Sequence, residues 1–177
     1  MTKLYYSDAR KWLHWLSAMA VIGLFASGLW MVELGYYDAW YQRAPAWHVN
    51  VGLLLFVATL ARLVLQRQNP RLKAPPFQRV AARTAHLSLL LCIVLLALTG
   101  YGLSTADGRP LLFFGVEIPG MGSVIPQQES VLGEWHELIA YTTMVLSFLH
   151  AAAAIKHHVI DSDDTLKRML IHRGTER

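Results

Sequence analysis

Residues 135–158 read WHELIAYTTMVLSFLHAAAAIKHH, a long apolar stretch with four histidines, of which His136 and His150 are widely separated and two more end the stretch. From Leu138 to Ile155 the stretch contains no Asp, Glu, Lys or Arg, and about 20 apolar residues are enough to cross a hydrocarbon core of ~30 Å as a helix. His136 and His150 are 14 positions apart. At about 100° and 1.5 Å per residue, both imidazoles face one side of such a helix, about 21 Å apart along its axis. The pattern predicts a membrane-spanning helix with a histidine at each of two depths.

Three further segments of the chain are long and apolar enough to cross a membrane. The 177 residues are 54% hydrophobic and 16% charged, which is too apolar for an ordinary soluble domain. The first apolar segment runs too far for a cleaved signal and is expected to be a retained anchor. We expect one all-α domain over residues 1–177, an integral membrane four-helix bundle with an outer loop at 105–134 and helices at about 12–33, 47–65, 84–104 and 135–158.

Basic residues lie mainly on one predicted face of the membrane. Of the 16 Lys and Arg, 14 fall in the N-terminal stretch, between the second and third spans, or in the C-terminal tail. Positive residues stay cytoplasmic during insertion, so both termini are predicted to be cytoplasmic. This division leaves the inner face at +9 and the outer face at −5. Because the basic charges lie between apolar runs, membrane lipid is an expected partner and nucleic acid is not.

Four histidines form two pairs at matching depths. His14 and His150 lie near the inner ends of the first and fourth spans, whereas His48 and His136 lie near the outer ends of the second and fourth. Ionisable residues within a span are costly and indicate function. Two six-coordinate haems stacked in a four-helix bundle need one helix with two ligands on one face and facing helices with one each. We therefore predict His48/His136 as the outer pair of iron ligands and His14/His150 as the inner pair. Small residues nearby either leave room for a flat macrocycle or let helices approach closely: Gly23, Ala26, Gly28, Gly52 and Ala140.

The other histidines and the arginines have competing interpretations. His86 has no partner at an equal depth and is expected to be structural. His157 lies about two turns beyond His150. It has two interpretations: a proton donor to a ligand beside the inner haem, or a solvated residue at the membrane interface. Cys92, the single cysteine, excludes an intramolecular disulfide and a cysteine-ligated cluster. Basic side chains either neutralise haem propionates or only enforce topology: Arg10, Lys11, Arg62 and Arg83 inside, and Arg43 and Arg109 outside.

Short motifs surround these histidines along nearly the whole chain. They are Leu13-His14-Trp15-Leu16, His48 opening the second span, Trp135-His136-Glu137, Leu149-His150-Ala151 running into Lys156-His157-His158, and the tail from Asp163 to Met169. In this order and spacing they resemble bacterial cytochrome b561, within the wider group of dihaem b subunits of formate dehydrogenases and nickel hydrogenases. The resemblance implies two haem b groups held by His14, His48, His136 and His150. It also implies ubiquinone reduction near the inner haem, with His157 in contact with the quinone, and a multi-pass protein of the bacterial inner membrane.

Three functions remain open from the sequence. The first is a self-contained quinone oxidoreductase, a dihaem cytochrome that carries electrons between a periplasmic small-molecule donor such as superoxide and ubiquinone. One branch of the family it resembles oxidises superoxide at the outer haem, but an outer face at −5 repels that anion unless Arg43 and Arg109 form a local positive funnel. The second is a cytochrome b subunit that docks a periplasmic redox protein, for which the acidic outer face favours a basic partner. The third, a histidine-lined metal carrier without haem, is disfavoured because the middle of the bundle is apolar.

Overall fold

Four long helices dominate the computed structural model, which describes residues 7–65, 75–163 and 165–170. They are α1 (Asp8–Met31), α2 (Arg43–Leu65), α3 (Pro76–Ser104) and α4 (Gln128–Val159), and a short helix, α5 (Thr165–Leu170), follows them. Each long helix has the length and apolar composition to cross a membrane. The predicted four-helix membrane fold is confirmed. The predicted single domain over residues 1–177 includes residues that the structure does not describe, so it stays a prediction.

The helices begin earlier than the apolar runs indicate. α3 begins at Pro76 and α4 at Gln128, about two turns before the predicted positions 84 and 135. Proline is favoured in a first helical turn, because its missing N–H has no partner to lose there. The side chain of Gln128 is 2% exposed and donates to the carbonyls of Gly102 and Gly122. Polar turns that lie beyond the hydrocarbon core are thus held by specific contacts, which hydropathy does not detect.

A small hairpin forms in the predicted outer loop. β1 (Leu111–Phe113) pairs antiparallel with β2 (Val116–Ile118), with Leu111 opposite Ile118. The two turn residues, Phe114 and Gly115, have positive φ angles of 47° and 88°, as a two-residue hairpin turn of the right twist requires. The hairpin lies within the segment 105–134 that the sequence predicts as a loop, and each of its strands is too short to appear as a strand pattern in the sequence.

Polar contacts tie this loop to the outer ends of the helices. The backbone N–H of Phe114 donates to Asn50 Oδ1 on α2 at 2.7 Å. Thr105, fully buried, accepts a hydrogen bond from the N–H of Met121 through its Oγ1. The Tyr101 hydroxyl donates to the carbonyl of Pro119. The segment after α3 is therefore a structured cover on one end of the bundle.

The bundle consists of two helical hairpins, with α1 packed on α2 and α3 packed on α4. A Cβ added at Gly102 of α3 would lie 2.6 Å from Leu132 Cδ1 of α4, so glycine permits this close approach. Within the apolar windows of the four helices, only 6–11% of residues are buried inside the protein. Most large apolar side chains therefore face outward, as expected for a bundle with lipid as its solvent.

Candidate functional site

Two histidines from α2 and α4 face each other near the covered end of the bundle. The ring centroids of His48 and His136 are 6.2 Å apart. Ser27 Oγ of α1 lies 3.0 Å from His48 Nδ1, and Thr99 Oγ1 of α3 lies 3.0 Å from His136 Nδ1. All four helices therefore contribute to this pair, which is the predicted outer pair.

The two hydroxyls determine which nitrogen of each ring is free. Ser27 donates its only hydroxyl proton to the carbonyl of Leu24, and Thr99 donates to that of Leu95. With that proton on the helix carbonyl, each hydroxyl oxygen offers lone pairs only and accepts the Nδ1–H of the imidazole beside it. That tautomer leaves Nε2 with a lone pair, the form in which a histidine held by a neighbouring acceptor binds a metal.

Three histidines meet at the other end of the bundle. The ring centroids of His14 on α1 and His150 on α4 are 6.4 Å apart. His86 of α3 lies closer to His150, at 5.2 Å between centroids. The expectation that His86 lacks a partner at its depth is wrong. α3 and α4 run antiparallel, and Thr99 of α3 contacts His136 of α4. The 13 positions between Thr99 and His86 nearly equal the 14 between His136 and His150, so the sequence already contained the spacing that brings His86 beside His150.

The separations test whether these rings suit one metal ion between them. A bond from a metal to an imidazole nitrogen is about 2 Å long, and the ring centre lies roughly 1 Å farther out, so two rings on opposite sides of one ion are about 6 Å apart. The pairs His48/His136 and His14/His150, at 6.2 and 6.4 Å, fit this value. His86 and His150, at 5.2 Å, are too close.

The donor set indicates the kind of metal group. Within residues 7–65, 75–163 and 165–170, no cluster of three or more His, Cys, Asp or Glu could hold a bare metal ion. Two imidazoles are too few for a tetrahedral or octahedral protein site. They are the complete protein contribution to a haem iron with two axial histidines, since the porphyrin supplies the other four nitrogens. The histidine pairs of the described residues therefore fit haem.

Glycines lie against both rings of the outer pair. A Cβ added at Gly28 would lie 3.5 Å from His48 Cε1, and one at Gly100 would lie 3.2 Å from His136 Cε1. Gly23 and Gly52, two of the other small residues singled out in the sequence, have nothing within 4 Å of such a Cβ. A Cβ at Gly28 would make an ordinary van der Waals contact with a ligand candidate, whereas one at Gly100 would press on the other ring, a constraint that the sequence analysis missed.

His157 belongs to a polar cluster at the end of α4. Its Nδ1 lies 2.6 Å from Asp161 Oδ2, and Lys156 Nζ lies 2.7 Å from the same oxygen. Hydrogen bonds from Lys156 and then from His157 hold the pKa of Asp161 below its usual value. His157 follows His150 by seven residues, which on an α-helix is about 20° short of two turns and about 10 Å along the axis. Its side chain, 27% exposed, is therefore on the same face of α4 as the ligand candidates.

The arginines proposed for the two faces differ in their surroundings. Arg62 of α2 is half-buried, and its NH2 lies 3.4 Å from His14 Nδ1. Lys11 of α1 is buried and pairs with Asp8 at 3.3 Å, and Arg83 of α3 is exposed. On the opposite end, the exposed Arg109 pairs with Asp107 at 2.5 Å. Hydrogen bonds from the backbone N–H of Arg109 and then from its side chain keep the pKa of Asp107 below its usual value. The charge of Arg109 is therefore already offset, which weakens the idea of a positive funnel.

Comparison with known proteins gives consistent matches over nearly the whole chain. The family model described as prokaryotic cytochrome b561 matches residues 5–171. The chain is 44% identical over 162 residues to cytochrome b561 homolog 2 of Escherichia coli strain K12, covering 89% of this chain and 86% of that protein. It is 27% identical over 175 residues to cytochrome b561 homolog 1 of the same strain, covering 95% and 98%. It is also 26% identical over 174 residues to a Yersinia pestis protein named probable superoxide oxidase CybB, covering 93% and 95%.

Proposed function

Because the chain belongs to the prokaryotic cytochrome b561 family, we propose that it holds two b-type haems and carries electrons across the inner membrane between a periplasmic donor and ubiquinone. The family implies haem b, and four spans make the chain a multi-pass bacterial membrane protein. The single observation that carries the proposal is the presence of two facing histidine pairs, at 6.2 and 6.4 Å, at opposite ends of one bundle. The asymmetry of basic residues supports an inward placement of the His14/His150 end.

The protein's part in this activity is ligation, orientation and exclusion of water. His48 and His136 are the proposed outer ligands, and Ser27 and Thr99 hold their rings through Nδ1. His14 and His150 are the proposed inner ligands. The haem iron supplies one-electron chemistry when bound. Apolar helices around both pairs keep the electron path in a medium of low polarity.

At the inner end, His157 is the proposed contact of the quinone head. Asp161 accepts the Nδ1–H of the ring at 2.6 Å, which fixes the ring and leaves Nε2 to exchange a proton with a quinone oxygen. Reduction of a quinone takes up two electrons and two protons, so a proton donor close to the electron source is useful. The position of His157 about 10 Å beyond His150 on the same helical face supports this assignment.

An absorption spectrum of the purified protein, reduced minus oxidised, tests the proposal. We expect a sharp b-type α-band and a haem content of two per chain. His136→Ala should remove the outer haem alone, and His150→Ala the inner haem alone. A preparation without the α-band, or variants that each keep two haems, would contradict the ligand assignment. Loss of quinone reduction in His157→Ala with both haems present is the expected result at the quinone site.

Superoxide oxidation is the second candidate function, and the similarity to the Yersinia pestis protein of that name favours it. The net −5 charge of the outer face and the Arg109–Asp107 pair oppose it, because superoxide is an anion. Addition of superoxide and ubiquinone to the pure protein separates the candidates. Quinone reduction faster than the uncatalysed reaction supports the oxidase, and an unchanged rate favours a periplasmic redox protein as donor. The acidic outer face favours a basic protein in that role.

A further inference from the structure

The two histidine pairs have electrostatically different neighbours. Neutral hydroxyls, those of Ser27 and Thr99, contact the rings of His48 and His136. The guanidinium of Arg62 contacts the ring of His14 at 3.4 Å. A guanidinium keeps its positive charge under all conditions in a protein. One pair therefore has a fixed cation beside it, and the other does not.

Arg62 has no carboxylate partner in the part of the chain that the structure describes. None of the ion pairs among residues 7–65, 75–163 and 165–170 includes it. Its side chain is half-buried in the last turn of α2. At the other end, Arg109 is exposed and offset by Asp107, and Arg43 is exposed. Among the described residues, the half-buried cation that contacts a ring of either pair thus lies at the His14/His150 end.

A cation beside a redox centre favours the state with one more electron, because reduction lowers the positive charge of the centre by one. The effect is large where water is excluded, since the interaction of two charges grows as the local dielectric constant falls. The direction of this effect on the midpoint potential is the same whichever group accepts hydrogen bonds from Arg62. If its N–H groups pair with a haem propionate, removal of the cation exposes that negative charge and again disfavours reduction.

On this basis, and resting on the proposed dihaem function, we propose that Arg62 makes the His14/His150 haem the more easily reduced of the two. Transfer of an electron between the two haems would oxidise the outer iron from Fe(II) to Fe(III) and reduce the inner iron from Fe(III) to Fe(II). The electron therefore accumulates at the end of the bundle that carries His157. Arg62 acts through the haem site and is a positioning and tuning residue rather than a catalytic one.

Redox titration of the haem-loaded protein, followed at the α-band, tests this role. His136→Ala leaves the inner haem and His14→Ala leaves the outer haem, so each midpoint potential is measured separately. We expect the inner midpoint to be the higher. In the His136→Ala background, Arg62→Gln should lower the ratio of reduced to oxidised haem at fixed potential by tenfold or more, equivalent to about 59 mV for one electron. Arg79→Gln, at an exposed arginine in the first turns of α3, is the matched control and should leave the midpoint unchanged.

Three outcomes would overturn the inference: an outer midpoint above the inner one, an inner midpoint that Arg62→Gln leaves unchanged, or an equal shift of both midpoints. If Arg62→Gln does not retain inner haem, Arg62→Lys and Arg62→His provide the same comparison. Both keep a donor at this position, but at pH 8 only lysine is charged, so the lysine variant should have the higher inner midpoint and equal values would refute the role. Absence of the α-band from the parent protein would contradict the proposed function instead, so the two failures are distinguishable.

Discussion

Thr99 on α3 holds the ring of His136 on α4, with 3.0 Å between Oγ1 and Nδ1. The hydroxyl proton of Thr99 is already donated to the carbonyl of Leu95 at 2.7 Å. A hydroxyl oxygen that accepts the Nδ1–H orients a proposed iron ligand from a neighbouring helix. Ser27 has the same relationship to His48.

Thr99→Val tests this support, because valine has nearly the same shape and lacks the acceptor. Loss of a hydrogen bond behind a metal-binding histidine typically costs 10–100-fold in affinity, so we expect weaker binding of the outer haem at about that factor. Haem content during dialysis against apomyoglobin measures it. Thr142→Val, at an exposed threonine of α4 that bonds only the carbonyl of Leu138, is the control and should retain both haems. Equal haem retention in the two variants would remove the supporting role of Thr99.

Gly100 and Gly23 form a matched pair for the steric requirement. A Cβ at Gly100 would lie 3.2 Å from His136 Cε1, whereas one at Gly23 would meet nothing within 4 Å. Alanine in place of a helical glycine otherwise stabilises by about 1 kcal/mol. We expect Gly23→Ala to keep two haems per chain, Gly100→Ala to lower outer haem content, and Gly100→Leu to abolish it. Pyridine haemochrome assay gives the ratio, and full loading of Gly100→Leu would show that this close contact is not needed.

His86→Ala should retain both haems, whereas His14→Ala should lose the inner one. The reason is geometric: His86 and His150 are 5.2 Å apart between ring centres, too close to lie on opposite sides of one iron, and His14 and His150 are 6.4 Å apart. Haem stoichiometry and the low-temperature α-band separate the two variants. Loss of the inner haem in His86→Ala together with its retention in His14→Ala would exchange the two roles.

Asp161→Asn should slow ubiquinone reduction while both haem bands stay unchanged. The pKa of Asp161 is lowered by hydrogen bonds from Lys156 and His157. A carboxyl with a depressed pKa keeps its charge, and any stabilisation it gives, above its usual pKa, and loses both as the pH falls through the lowered value. Asp161 should therefore stay charged, and the wild-type rate of quinone reduction should keep its contribution, at neutral and mildly acidic pH. Asp107→Asn, on the opposite end, is the control; an equal effect of both substitutions would indicate a general charge effect.

The fold was predictable because long apolar runs indicate helices that lie in lipid. Hydropathy does not indicate where such a helix begins or ends. The segment 135–158 predicts a span, yet α4 begins at Gln128, where side-chain contacts rather than apolar residues hold the first turn. The hairpin turn at Phe114 and Gly115 depends on two positive φ angles that no apolar pattern contains. Both features rest on local polar contacts or backbone geometry.

The histidines paired by depth in the sequence are brought together in the structure, since one helix with two histidines fixes the distance between two levels. His86 was misjudged because it was considered by itself rather than against the antiparallel helix α4, where it lies beside His150. Thr99 and Gly100 were not singled out for a different reason. Whether a threonine or glycine faces a given ring depends on the rotation of α3 about its axis, which spacing within one helix does not determine.

The division of the bundle into two helical hairpins has a consequence for its assembly. The main contacts run within α1–α2 and within α3–α4, with fewer between α2 and α3 and fewer still between α1 and α4. Each proposed iron, however, joins a histidine of the first hairpin to one of the second: His48 or His14 to α4. The proposed prosthetic groups would thus add a link between the two hairpins near each membrane surface, beside the direct contacts of α2 with α3.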